Sequence, residues 1–97
     1  MSERPQAQSQ VQIDDDQIRV TAWRFVPGAH TGWHRHAHDY VVVPLTSGAL
    51  RLDEPGAVRE VNLTVGGSYA RSAGVEHDVI NINPFEFGFV EIELKSS

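Results

Sequence analysis

Four of the five histidines fall within nine residues, at His30, His34, His36 and His38, and the fifth, His77, lies far along the chain. On an extended strand, side chains at i and i+2 share a face, so His34 and His36 project together while Arg35 points the other way. Two neutral imidazoles a pleat apart can each offer a nitrogen lone pair to one divalent ion at about 2.0–2.2 Å. Two ligands rarely hold an ion against water, so a third must come from elsewhere. His77 opens a run containing Val79, Ile80 and Ile82 that reads as a strand ending at Asn83-Pro84. In a barrel, that strand can lie beside the one carrying His34 and His36. His30 and His38 have no partner that spacing demands, and they read as surface histidines.

The elements that must position these rings are short strands. Ile18, Val20 and Ala22 alternate with Arg19, Thr21 and Trp23 before Pro27-Gly28. Residues 40–45 are nearly all β-branched or aromatic, and Pro44 among them marks an edge, a bulge or a strand end. Leu50 and Leu52, then Val61, Leu63 and Val65, continue the alternation, and residues 85–94 close the chain. No window carries the i, i+3, i+4, i+7 stripe of a helix. Short strands between regular breakers mean an all-β sandwich or barrel. Asp14-Asp15-Asp16 reads as a hairpin turn, because the remaining ligands of a calcium loop are missing. Glu91 and Glu93, alternating in the last strand, read as a solvated face.

Composition bounds the rest. Ninety-seven residues leave no room for a second core, so residues 11–97 read as a single domain. Residues 1–10, polar and rich in Gln and Ser, read as a flexible N-terminal tail. With 8 Lys+Arg against 13 Asp+Glu the formal charge is −5, and no basic run is present to bind nucleic acid. Without cysteine there is no disulfide framework, thiolate zinc site or thiol nucleophile. The polar start lacks the apolar stretch of a signal peptide, and no run approaches a bilayer span. The expected location is therefore the cytoplasm, away from membranes.

The residues around the histidines resemble the two motifs of the cupin family. The first motif is a Gly, five residues, His-x-His, three or four residues, Glu, then a Gly; here Gly28 precedes His34-Arg35-His36 at that distance and Gly48 follows the next strand. The second is Gly, five residues, Pro-x-Gly, two residues, His, three residues, Asn. Gly66, Gly74, His77 and Asn81 match it, with Ser72 in place of the Pro. The stretch from His38 to Leu45, together with Gly74-Val75-Glu76-His77, looks closest to small single-domain cupins named for β-alanine degradation. The resemblance implies a conical double-stranded β-helix, a jelly-roll barrel. It also implies a divalent metal held by His34, His36 and His77 at one mouth.

The departure from the motif is informative. The family's metal-binding Glu falls on Tyr40 or Val41, neither a carboxylate. Tyr40 shares strand parity with His36, so its phenol could ligate the ion as phenolate, donate a hydrogen bond nearby, or simply fill the core. Asp39 could substitute only across a bulge. Three imidazoles without a carboxylate leave an ion its full charge and two or three open positions, suited to a substrate oxygen or a bound water. Similarity to three-histidine cupin dioxygenases favours Fe(II), while Zn, Ni, Mn and Cu also suit the donors. Tyr40 is the candidate catalytic residue, with His38 and Glu76 as further acid–base candidates. Arg71 and Trp33 are the candidate substrate-binding residues, and Trp23 could also line the mouth.

Two functions fit this pattern. One is a metal-dependent, oxygenase-like enzyme, or an isomerase or lyase, acting on a small organic acid or amino-acid-derived metabolite. The other is a non-catalytic small-molecule-binding or sensor cupin with a structural metal or none. The apolar edge segment Val11-Gln12-Ile13 is expected to pair with a second copy in a two-fold homodimer.

Overall fold

The computed structural model describes residues 3–95. Among these the chain forms nine strands and no helix: β1 (Gln8–Asp14), β2 (Ile18–Phe25), β3 (His34–Arg35), β4 (Asp39–Pro44), β5 (Gly48–Glu54), β6 (Ala57–Leu63), β7 (Tyr69–Arg71), β8 (Glu76–Asn81) and β9 (Phe87–Leu94). They make a five-stranded sheet in the order β1-β2-β9-β4-β7 and a four-stranded sheet in the order β3-β8-β5-β6. All strand pairs are antiparallel.

The turn residues act where the sequence places them. The Asp15 carboxylate accepts from the Gln17 and Ile18 amides at 2.8 and 2.9 Å, closing the β1–β2 hairpin. Pro44 is the last residue of β4, which needs no further ladder donor there. Gly56 follows Pro55 in the β5–β6 turn with φ +69°, a conformation that favours glycine. Strand limits differ slightly from the alternation: β6 stops at Leu63, so Val65 is exposed, and β9 begins at Phe87.

Residues 5–10 differ from the expected tail. β1 begins at Gln8, and Ala7 is buried in the core. The Ala7 amide donates to the His30 carbonyl at 2.8 Å, and the His30 amide donates to Pro5 at 3.0 Å. Polar side chains said nothing of this, because the bonds are made by backbone.

Both sheets contribute to one apolar cluster that includes Phe25, Val42, Leu50, Leu52, Val79, Phe87 and Phe89. Strand register grades the inner face of the five-stranded sheet. Phe25 pairs with Phe87, and Trp23, Phe89 and Pro44 form the next row. Thr21, Glu91, Val42 and Tyr69 follow, then Arg19, Glu93, Tyr40 and Arg71. The sheet is therefore oily at one pole and charged at the other. Asn81, fully buried, locks the oily pole: its amide donates to the Phe25, Val26 and Phe85 carbonyls at 3.0, 3.3 and 2.9 Å. Its carbonyl accepts from the Asn83 backbone and side chain at 2.9 and 2.8 Å. Asn83 in turn brackets Ala49, which is why position 48 is Gly: a Cβ there would lie 2.7 Å from Asn83 Oδ1.

Candidate metal centre

β3 and β8 are paired so that His34 stands directly opposite His77, and His36 follows one residue after β3 ends. The His36 amide donates to Val75 at 2.9 Å and its carbonyl accepts from Gly74 at 2.8 Å, which holds the ring over the same face. The three rings are mutually T-shaped, with centroids 4.7–5.0 Å apart. Their Nε2 atoms converge: His34 to His36 at 3.1 Å and His36 to His77 at 3.0 Å. Their ligand atoms lie within 4.8 Å of one another, and no other such group occurs among the described residues.

The protonation states suit a cation. His34 Nδ1 lies 2.9 Å from the Gly32 carbonyl, which can only accept, so Nδ1 carries the proton and Nε2 presents a lone pair. Burial holds His36 neutral, lowering its pKa to about 4, with His34 and Arg71 adding to the effect. Burial likewise lowers His77 to about 3, with His34 and His36 adding to it. They are 7% and 5% exposed. Two nitrogens at about 2.15 Å from one ion lie ~3.0 Å apart when they subtend about 90°, and ~3.5 Å apart at the tetrahedral angle. The spacings of 3.0 and 3.1 Å therefore suit His36 sharing one ion with each of the other two rings at about 90°. A divalent ion fits this donor set.

The surroundings are mostly apolar. A chamber of about 20 Å³ is lined by the triad, by Trp23, Val42, Leu50, Leu52, Val79 and Phe89, and by Tyr40, Tyr69, Arg71 and Glu91. Glu91 corrects the expectation of a solvated face: its side chain is 12% exposed and one carboxylate oxygen lies 3.6 Å from His36 Nδ1. Burial, then Glu93, raises its pKa to about 7. A sequence signal was available, since Glu91 has the same strand parity as Phe87 and Phe89.

Comparison with known proteins identifies the scaffold. No family model matches the chain. The chain is 57% identical over 95 residues to the β-alanine degradation protein BauB of Pseudomonas aeruginosa, covering 98% of this chain and 100% of that one. It superposes on a crystallised cupin domain of Bordetella pertussis with a TM-score of 0.96 at 55% identity, covering 98% and 99% of the two chains. The chain belongs to the cupin family. A cupin of Methanocaldococcus jannaschii with a double-stranded β-helix fold is 12% identical, with a TM-score of 0.78 over 97% of this chain and 84% of that one, and it shares the fold alone. The two sheets are thus the two faces of a double-stranded β-helix.

Within this cupin the expected site residues separate. The backbone brings His34, His36 and His77 together, and Tyr40 and Arg71 line their chamber. The Tyr40 ring stacks on His36 with centroids 3.8 Å apart, and its buried hydroxyl has no partner among the described residues. Burial pushes its pKa well above that of a free phenol, so it offers an O–H rather than a phenolate. Arg71 is cross-strand from Tyr40 and bonded to Glu54. Trp33, by contrast, is 55% exposed and does not line the chamber, whereas Trp23 does. His30 pairs with Asp78 at 2.9 Å and braces the N-terminal segment. His38 and Glu76 are half-buried and lie outside the chamber lining.

Proposed function

We propose that this cupin is a metal-dependent enzyme acting on a small organic acid, with a divalent ion held by His34, His36 and His77. The observation that carries the reading is the convergence of three imidazole rings, with His36 Nε2 lying 3.1 Å from His34 Nε2 and 3.0 Å from His77 Nε2. Such an ion, with Fe(II) favoured by family resemblance, would supply Lewis-acidic or oxygen-activating chemistry beside a bound acid. The protein does the remaining work. Gly32 fixes the His34 tautomer, and Tyr40 buttresses the His36 ring while keeping a hydroxyl donor beside it. Arg71 offers a guanidinium to a carboxylate, and the apolar wall excludes bulk water. The name of the Pseudomonas aeruginosa relative, which concerns β-alanine degradation, supports a small acid as substrate.

The second reading is a non-catalytic binding or sensor cupin, favoured by one observation: among the described residues no carboxylate joins the histidine group. Untagged protein decides between them. We expect about one equivalent of divalent metal after reconstitution and dialysis, metal loss in His77→Ala, and oxygen uptake with a three-carbon amino- or oxo-acid. Metal content in His77→Ala equal to that of the parent would defeat the triad. A stoichiometric metal without turnover of any such acid would favour the binding module.

We also propose a cytoplasmic homodimer built on β1. That strand is one edge of the five-stranded sheet, and Val11 and Ile13 are exposed on it. Its register continues Ile13 into a row of Val20, Ile92, Val41 and Ala70 on the outer face of the sheet. Among the described residues, no helix is long and apolar enough to cross a membrane.

A further inference from the structure

A chamber of about 20 Å³ holds something the size of a water molecule, so an organic acid must reach the triad from an adjoining space. The five-stranded sheet ends at β7 and the four-stranded sheet at β6, and these two edges do not pair. A groove of about 310 Å³ lies between them, with Leu52, Val61, Leu63 and Ala70 as its apolar wall and Arg59 beside them. Leu52, Tyr69 and Arg71 line both groove and chamber, so the two spaces meet at Arg71.

The charges at that junction are unequal. Glu54 accepts from Arg59 at 2.6 and 3.2 Å and from Arg71 at 3.3 Å through both terminal nitrogens. Two guanidinium groups share one carboxylate, which leaves a net positive charge. The short pair is Arg59–Glu54; the long bonds belong to Arg71, so a second carboxylate can take Arg71 without breaking the shorter pair. Cross-strand from Arg71 stands Tyr40, 2% exposed, its hydroxyl lacking a partner among the described residues. The other approach to the triad is lined by Arg19 and Arg35 but also by Glu91 and Glu93, and Arg19 is already paired with Asp14 at 3.4 Å. That mouth offers a carboxylate no comparable excess of positive charge.

We propose that the groove between β6 and β7 binds a short-chain aliphatic carboxylate, its head group on Arg71 and Tyr40 and its tail along Val61, Leu63 and Ala70. This names the substrate class and entry route for the proposed metal-dependent activity and rests on that reading for its catalytic meaning. Binding itself requires no metal, so the two can fail separately.

The test uses chelator-treated protein and butyrate, followed by methyl and indole NMR, with butanol as the uncharged control. Saturable shifts at Val61, Leu63 and Ala70 with butyrate, and none with butanol, are expected. Arg71→Gln should weaken butyrate binding at least about tenfold, the loss of a charge-assisted bidentate contact. Val61→Trp narrows the groove from its β6 side while leaving every charge in place, and should weaken binding by at least as much even if Arg71→Gln folds poorly. Shifts centred on Trp23 and Trp33, or no saturable response, overturn the proposal. Butyrate binding to a protein whose triad takes up no metal sustains the groove and removes only the metal-dependent reading.

Discussion

Acidification of the metal-free protein tests the buried triad directly. In the unfolded chain His36 and His77 titrate at the ordinary 6.5, while in the fold burial holds them at about 4 and about 3. A folded value below the unfolded one means stability that is complete above pH 6.5 and is lost as pH falls towards the folded value. Between pH 7 and pH 5 the loss is about 2 kcal/mol per ring, and it requires only that both rings stay neutral at pH 5. Glu91 works in the opposite direction. Its carboxyl moves from 4.5 to about 7 on folding, so its contribution is complete below pH 4.5 and is lost as pH rises through 7. Over the same interval Glu91 therefore returns about 2 kcal/mol, leaving the parent protein a net loss of about 2 kcal/mol. Glu91→Gln removes that offset, so the variant should lose about 4 kcal/mol between pH 7 and pH 5. Urea unfolding in chelator at the two pH values measures both numbers. Equal pH dependence in parent and variant would mean that Glu91 is not buried beside His36 as described. A parent and variant both indifferent to pH would mean that the rings are not held neutral.

Other consequences are read by simpler measurements. Asn81→Ala strips one buried and two part-buried carbonyls and the Asn83 side chain of a partner, and should cost about 3 kcal/mol in urea unfolding; a loss below about 1 kcal/mol would contradict its locking role. Tyr40→Phe deletes a buried hydroxyl that has no partner, so the metal-free protein should be unchanged or stabilised by up to about 1 kcal/mol, and a marked destabilisation would show that the hydroxyl is in fact satisfied. Sedimentation at micromolar concentration should report a dimer that Ile13→Asp converts to monomer, and a monomeric parent would rule out the β1 assembly.

The local chain determined a good deal of this protein. Alternating β-branched residues between Gly, Pro and Asp breakers specify short strands, because pleat and turn preferences act over a few residues. The His34-x-His36 spacing sets two rings on one side, and the motif context identified His77 as the third. Tertiary structure decided which side of each strand faces inward. In β9, Val90, Ile92 and Leu94 make one apolar side, while Phe87, Phe89, Glu91 and Glu93 make a mixed one. Taken alone, the apolar side looks like the core, and Glu91 like a surface charge. The facing sheet reverses this, because Phe87 and Phe89 fill the barrel and carry Glu91 in with them. Trp33 ended outside the chamber for a related reason: a loop residue's direction depends on what the loop packs against, and no periodicity encodes that. Residues 5–10 were hidden from sequence because residues 5–7 are held by backbone bonds at His30 and residues 8–10 by pairing with β2. Hydrogen bonds between main chains carry no side-chain signature, so only the folded arrangement could reveal them.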